Sequence, residues 1–218
     1  MAPTPFPVGQ AALLALAWLL YLALHSLLAD ARIRRRLETR WPRLRHRYRL
    51  FYTLQSSLLI LPPLALLVLW YDRGESLWAW RGTAGWLADG LALLALAGAV
   101  RATRAYDLAA FLGLKTRSDH ANITGFHLSP LHRHVRHPWY SLGLVVLWTR
   151  DMPPALLVTA LCITAYLLVG IRLEERKLID EFGERYREYR RRVPALIPRP
   201  WRRLTLEEAR ELSDPPDR

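Results

Sequence analysis

The chain has 218 residues, 52% of them hydrophobic, with 31 Lys and Arg against 19 Asp and Glu for a net charge of +12, and a single cysteine. A lone Cys162 excludes a disulfide framework, and the gathering of the apolar residues into long runs excludes an ordinary soluble domain. The mean hydropathy of +0.03 hides those runs only because the segments between them are rich in arginine.

Taken in chain order, Val8 to Ala29, Leu50 to Tyr71 and Thr83 to Val100 each come close to the ~20 residues a helix needs to cross ~30 Å of hydrocarbon. The first run has no basic segment before it and is longer than the apolar part of a signal peptide, so it reads as a helix of the mature protein. Residues 30 to 47 read as a short interfacial helix capped by Asp30 and ended by Trp41-Pro42. The apolar region from Trp139 to Ile171 is interrupted at Thr149 to Pro154, as expected for a tight turn between two antiparallel helices. The prediction is an all-α, polytopic membrane helix bundle of about five spans, near 8–29, 50–71, 83–100, 139–149 and 153–171. They form one domain over residues 1–203, followed by a tail, 204–218, that frays after Ser213. The fourth span holds about 11 apolar residues, roughly 16 Å of helix, which is half a membrane and sets polar groups beside lipid.

Lys and Arg accumulate in the cytoplasmic loops of membrane proteins. Arg32, Arg34, Arg35, Arg36, Arg40, Arg43, Arg45 and Arg47 follow the first span, and Arg101, Arg104, Lys115, Arg117, Arg133 and Arg136 follow the third. Only Arg73, Arg81 and Arg150 fall on the other side, so the N-terminus is expected outside and the C-terminus in the cytoplasm. The same charge attracts anionic lipid headgroups. The arginines are divided among membrane-adjacent loops without a nucleic-acid motif, so membrane lipids rather than nucleic acid are the expected partners.

The polar chemistry lies in two segments flanking the last hairpin, Gly125 to Tyr140 and Arg172 to Pro198, which the hairpin should bring together. Glu174 and Glu175 come directly after the apolar run, where carboxylates are costly without a partner. They either pair locally with Arg172, Arg176 or Lys177, or receive the ammonium of a cationic ligand. Leu178, Phe182, Tyr186 and Tyr189 share one helical face, as a packing stripe or as the lining of an adenine pocket. His120, His127, His132, His134 and His137 raise a metal site, but they have no cysteine nearby and no HExxH spacing, and no metal is expected. His25 beside Ser26, and Asp89, read as polar contacts within the bundle, and Cys162 as packing.

The combination of Arg136-His137-Pro138-Trp139-Tyr140, an apolar hairpin, Glu174-Glu175, Leu178, Phe182-Gly183, Tyr186, Tyr189, Val193-Pro194 and Ile197-Pro198 resembles a family of membrane methyltransferases. That family includes isoprenylcysteine carboxyl methyltransferase and the phospholipid N-methyltransferases. His25 to Ala29, Phe111 to Leu114 and Thr164 to Ile171 bring the resemblance nearest to the bacterial methanethiol S-methyltransferases. The resemblance implies a helix bundle in the bacterial inner membrane whose cytoplasmic end encloses S-adenosylmethionine. By position, it implies that Arg136, His137 and Tyr140 contact this cofactor and that Glu174 and Glu175 hold its ammonium. Tyr186 and Val193 to Pro198 would close over the adenosine, and Phe111 to Leu114 would lie near the acceptor. Arg136 and Arg172 would be the catalytic cations, favouring the thiolate of a small thiol acceptor or orienting another lipophilic one. An isoprenoid, lipid or carboxylate acceptor is the alternative within this class. Outside it stands a non-enzymatic membrane protein that binds haem or metal through the histidine segment. The chain departs from the family pattern at Leu142, where a glycine is usual and Gly143 follows one residue late. It departs again at His132 and His134, positions often tyrosine, and at Lys115-Thr116, where a glutamine is usual.

Overall fold

The computed structural model describes residues 6–103, 108–114, 126 and 128–213. All the regular structure among them is helical: α1 (Val8–Ala29), α2 (Ala31–Arg40), α3 (Tyr48–Leu59), α4 (Leu61–Trp70), α5 (Gly82–Thr103), α6 (Leu108–Leu112), α7 (Pro138–Trp148), α8 (Pro154–Phe182), α9 (Glu184–Arg192) and α10 (Leu206–Ser213). Four stretches are long and apolar enough to cross a membrane: α1, the α3–α4 pair Tyr48–Trp70, α5 and α8. In each of the first three, 17% of the apolar window is buried inside the protein. The rest must be solvated by lipid, since apolar side chains left in water would cost about 25 cal/mol per Å2. The fold is an all-α membrane helix bundle.

The expected second span is interrupted. Pro62 and Pro63 have no N–H to donate, so the helix that starts at Tyr48 stops at Leu59 and restarts at Leu61. The fifth run, by contrast, continues beyond its apolar part, because Arg172 to Phe182 contains no breaker, and α8 carries Glu174 and Glu175 as helical residues. The interfacial helix forms as expected: Asp30 accepts from the backbone N–H of Arg32 at 2.8 Å and of Ile33 at 3.2 Å, and Trp41 is its C-cap.

The chain divides into two compact units. The first comprises the described residues of Met1–Trp86, Tyr106–Ala121 and Arg150–Thr164. Here α1 packs on α3 and α4, and Trp18 donates its indole N–H to the Thr159 hydroxyl at 3.0 Å. Ala155, Thr159 and Ala160 are buried beside one another on α8, small residues of the kind that let membrane helices approach closely. The turn after α6 also belongs to this unit. Gly113 adopts φ +80, and a Cβ there would lie 2.4 Å from the backbone nitrogen of Leu50.

The second unit comprises the described residues of Leu87–Ala105, Asn122–Thr149 and Ala165–Arg218. Its core gathers Phe126, Tyr186, Tyr189, Val193, Leu204 and Ala209, with Leu178 and Phe182 against them. The Phe126 ring lies 5.4 to 5.8 Å from those of Phe182, Tyr186 and Tyr189, spacings at which aromatic edges meet faces favourably. The aromatic stripe read from the sequence therefore packs a core. Gly183, at φ +58, separates α8 from α9 in a conformation open to glycine. Leu142, standing where the family pattern has glycine, is accommodated by a glycine elsewhere: a Cβ on Gly98 of α5 would come within 3.4 Å of its methyl.

Gly113→Ala combines a positive φ with a backbone clash and should lower stability by about 2 kcal/mol or more. Gly90→Ala, within α5 and with no atom within 4 Å of a built Cβ, should be neutral or stabilise by up to ~1 kcal/mol. Thermal unfolding of the two variants in detergent checks the contrast.

Candidate active site

The site lies within the second unit, at the start of α7, the last third of α8 and the end of α9. Pro138 occupies the first turn of α7, where its missing N–H costs nothing, and the N-cap before it, His137, has φ −123 and ψ 69. The backbone of the two residues before Pro138 is held by two hydrogen bonds, Arg136 N–H to the carbonyl of Pro194 at 2.9 Å and His137 N–H to that of Ala195 at 3.0 Å. Ser141 adds a third, its hydroxyl donating to the Leu196 carbonyl at 2.7 Å. Further along, Arg133 Nε donates to the Leu204 carbonyl, and the Leu204 N–H returns a bond to the Arg133 carbonyl, both at 3.0 Å.

At the centre is a buried ion pair. Arg136 and Glu175 have side chains 9% and 6% exposed, and Arg136 Nε and Nη2 each lie 2.7 Å from Glu175 Oε1. Arg136 Nη1 donates to the carbonyls of Arg190, at 3.1 Å, and of Val193. His137 Nε2 lies 3.2 Å from the same carboxylate oxygen, and Arg190 Nε holds Oε2 at 3.1 Å. Glu175 faces this way because it continues the buried face of α8 one turn beyond Ile171, with Leu178 and Ile179 one turn further on.

Glu174, one residue earlier and so ~100° around the helix, has a different environment. Its side chain is 48% exposed, with Oε2 3.5 Å from His137 Nδ1 and within 3.4 Å of the Tyr140 hydroxyl, which donates to it. The rings of His137 and Tyr140 stack 5.4 Å apart and 4° from parallel. Among the described residues no Lys or Arg pairs with Glu174. Arg172 is exposed and stands outside the cluster. Neither glutamate uses the local partners Arg172, Arg176 or Lys177.

Tyr186 and Tyr189 are each 2% exposed. Burial raises both phenol pKa values, with the Glu175 charge adding to the shift at Tyr186 and the Arg136 charge opposing it, so both hydroxyls stay neutral. Tyr189 donates to the His132 carbonyl at 2.7 Å. Burial, followed by the charge of His137, lowers the His132 pKa. Burial, followed by Arg133 and Arg203, lowers that of His134. His120 and His127 lie outside the described residues, as do Arg104, Lys115 and Arg117, and so does the side chain of Phe111. Among the described residues no three His, Cys, Asp or Glu side chains gather in a way that could hold a metal ion.

Of the residues singled out in the sequence, the structure thus joins Arg136, His137, Tyr140, Glu174 and Glu175 in one cluster, with Tyr186 in the core beneath. It adds Arg190 and Ser141. Arg190 sits in a run of three arginines, where nothing in the sequence distinguishes the one whose carbonyl and side chain both serve the site.

The family model described as a protein of unknown function, DUF1295, matches residues 12–193. The chain is 36% identical over 163 residues to Methanethiol S-methyltransferase 2 of Bradyrhizobium diazoefficiens, an alignment covering 72% of this chain and 62% of that relative. Methanethiol S-methyltransferase 1 of the same organism is 49% identical over 74 residues, covering 34% of this chain and 25% of the relative. The Methanethiol S-methyltransferase of Mycobacterium tuberculosis is 45% identical over 80 residues, covering 36% and 32%. The chain therefore spans less than two thirds of the length of these relatives. No solved structure matches it. With the family model extending from the second turn of α1 to the end of α9, the chain belongs to the DUF1295 family.

Proposed function

We propose that the chain is a membrane methyltransferase that uses S-adenosylmethionine to methylate a small thiol, methanethiol being the model, or another lipophilic acceptor. The observation that carries this reading is the open carboxylate of Glu174, beside the stacked His137 and Tyr140 rings and directly above a buried charge cluster. The relatives' names, methanethiol S-methyltransferase, support methyl transfer to a thiol. The donor set suits the cofactor: a cation with an ammonium at one end and a sulfonium further along calls for a carboxylate and for aromatic faces.

In this reading Glu174 and the Tyr140 hydroxyl hold the amino-acid end of the cofactor. Glu175 and Arg136 are positioning residues, because nearly all their hydrogen-bonding capacity is spent within the cluster. They fix the path of Val193 to Pro198, which closes over the adenosine with Tyr186 supporting it from the core. Bound S-adenosylmethionine supplies a methyl group activated by its sulfonium for in-line displacement, a reaction that requires positioning and desolvation more than acid–base groups. An acceptor thiol reacts as its thiolate, and the positive surroundings, with Arg190 half exposed at the edge of the cluster, favour that form. The basic face is the cytoplasmic one, where a water-soluble cofactor meets an acceptor dissolved in the membrane.

The two glutamates should separate on mutation. Glu174→Gln should leave the melting temperature of the detergent-purified protein within a degree or two while weakening S-adenosylmethionine binding about tenfold, the equivalent of ~1.4 kcal/mol. Glu175→Gln should lower stability by about 3 kcal/mol, because it leaves the buried Arg136 charge without a counter-ion. Calorimetric titration together with thermal unfolding tests both, and equal behaviour of the two variants would reverse the division of roles.

The acceptor is tested separately. Membranes containing the protein, given methanethiol and S-adenosylmethionine labelled in its methyl group, should release labelled dimethyl sulfide into the headspace. Label appearing in the lipid extract instead would make a lipid or isoprenoid the acceptor.

A further inference from the structure

The first unit contains a cavity of about 460 Å3 that the proposed reaction does not account for, a size in the range of small-molecule sites. It lies between the end of α1, the first turn of α2 and most of the length of α3, with Leu28 and Ala29 forming an apolar wall. Inside it, His25 links Tyr52 and Ser56: its Nε2 lies 2.8 Å from the Tyr52 hydroxyl and its Nδ1 3.1 Å from the Ser56 hydroxyl, to which Gln55 also donates at 2.8 Å. This network fixes the floor of the cavity.

Other lining groups point to a ligand. Arg34 uses its Nε on Glu38 at 2.7 Å and lies 5.3 Å over the Tyr48 ring, while its two terminal nitrogens have no partner among the described residues. The hydroxyls of Thr53 and Ser57, which also line the cavity, have none either. Arg49 brings a second positive charge. The cavity thus offers hydroxyl donors along about 12 Å of α3 and two arginines, Arg34 and Arg49, towards its interfacial end, beside an apolar wall. Its charged rim stands at the level of the interface, where Arg40 lies 5.8 Å over the exposed ring of Trp41, as expected for a tryptophan at a membrane surface. A ligand that matches has a single anionic, oxygen-rich group joined to a hydrocarbon part.

We propose that this cavity binds the headgroup of an anionic phospholipid, with the phosphate received by Arg34 and Arg49 at the interfacial end and the ester oxygens by the Thr53 and Ser57 hydroxyls further along α3. The site goes beyond the methyltransferase reading and does not depend on it. It also differs from diffuse attraction to a basic surface, because it requires particular donors.

The experiment is retention of dioleoyl-phosphatidylglycerol or dioleoyl-phosphatidylcholine by the full chain in neutral detergent, read by native mass spectrometry. Wild type should retain phosphatidylglycerol at least about fivefold better. Arg34→Gln combined with Ser57→Ala should remove that preference, and Arg36→Gln, on the exposed side of α2, should keep it. Because Arg34 also pairs with Glu38, Ser57→Ala alone serves if the double variant does not fold, with at least a twofold loss expected. Equal retention of the two lipids, an equal loss in Arg36→Gln, or no loss in Ser57→Ala would overturn the site. Displacement of the lipid by millimolar inorganic phosphate would overturn the lipid assignment in favour of a free anion.

Discussion

Removing two opposite charges from water costs several kcal/mol for each ion, and the cost is recovered only if the remaining lone pairs and N–H groups also find partners. The Arg136–Glu175 pair meets that condition by recruiting the chain around it. Glu175 takes Arg136 and His137 on one oxygen and Arg190 on the other, and Arg136 spends Nη1 on the carbonyls of Arg190 and Val193. Satisfying one buried pair therefore sets the start of α7, the rotation of α8, the end of α9 and the course of the segment that follows. Lysine could not substitute at Arg136, since a point charge with three donors cannot address a carboxylate and two carbonyls in this fork geometry.

That requirement also explains why two adjacent glutamates differ so much. A helix turns ~100° per residue, so when Glu175 faces inward Glu174 must face sideways, towards Tyr140 and His137. A carboxylate close to a site but not needed by the scaffold is free to receive something else. The scaffold glutamate and the one proposed to bind the cofactor are thus neighbours in sequence and divided by helical geometry alone.

Much of this was legible in the sequence, and the reasons are specific. The apolar run Val8 to Ala29 gave the limits of α1, and Asp30 gave the cap of α2, because hydrocarbon length and capping chemistry act locally. Arg136 to Tyr140 and Glu174-Glu175 could be paired because one hairpin joins them. The break at Ile60 followed from Pro62-Pro63, a local signal masked by the uniform hydropathy around it. The separate environments of the two glutamates, the choice of Arg190 over its neighbours and the use of Gly98 to receive Leu142 were not legible, since each depends on helix rotation or on a partner far along the chain. The His25 cavity was hidden for the same reason: histidine, tyrosine and serine look like isolated polar residues until α1 and α3 are laid side by side.

The short helix α7 makes the lipid part of the mechanics. Eleven residues, Pro138–Trp148, supply about 16 Å of apolar length against ~30 Å of hydrocarbon. Its start is fixed by polar bonds to Pro194 and Ala195, so it cannot slide to share the deficit between its ends. The surrounding bilayer must thin towards it, or the polar turn after it must enter the hydrocarbon, and either has an elastic cost that grows with acyl-chain length. Membrane thickness thereby becomes a parameter that favours one bilayer over another as the setting for this protein.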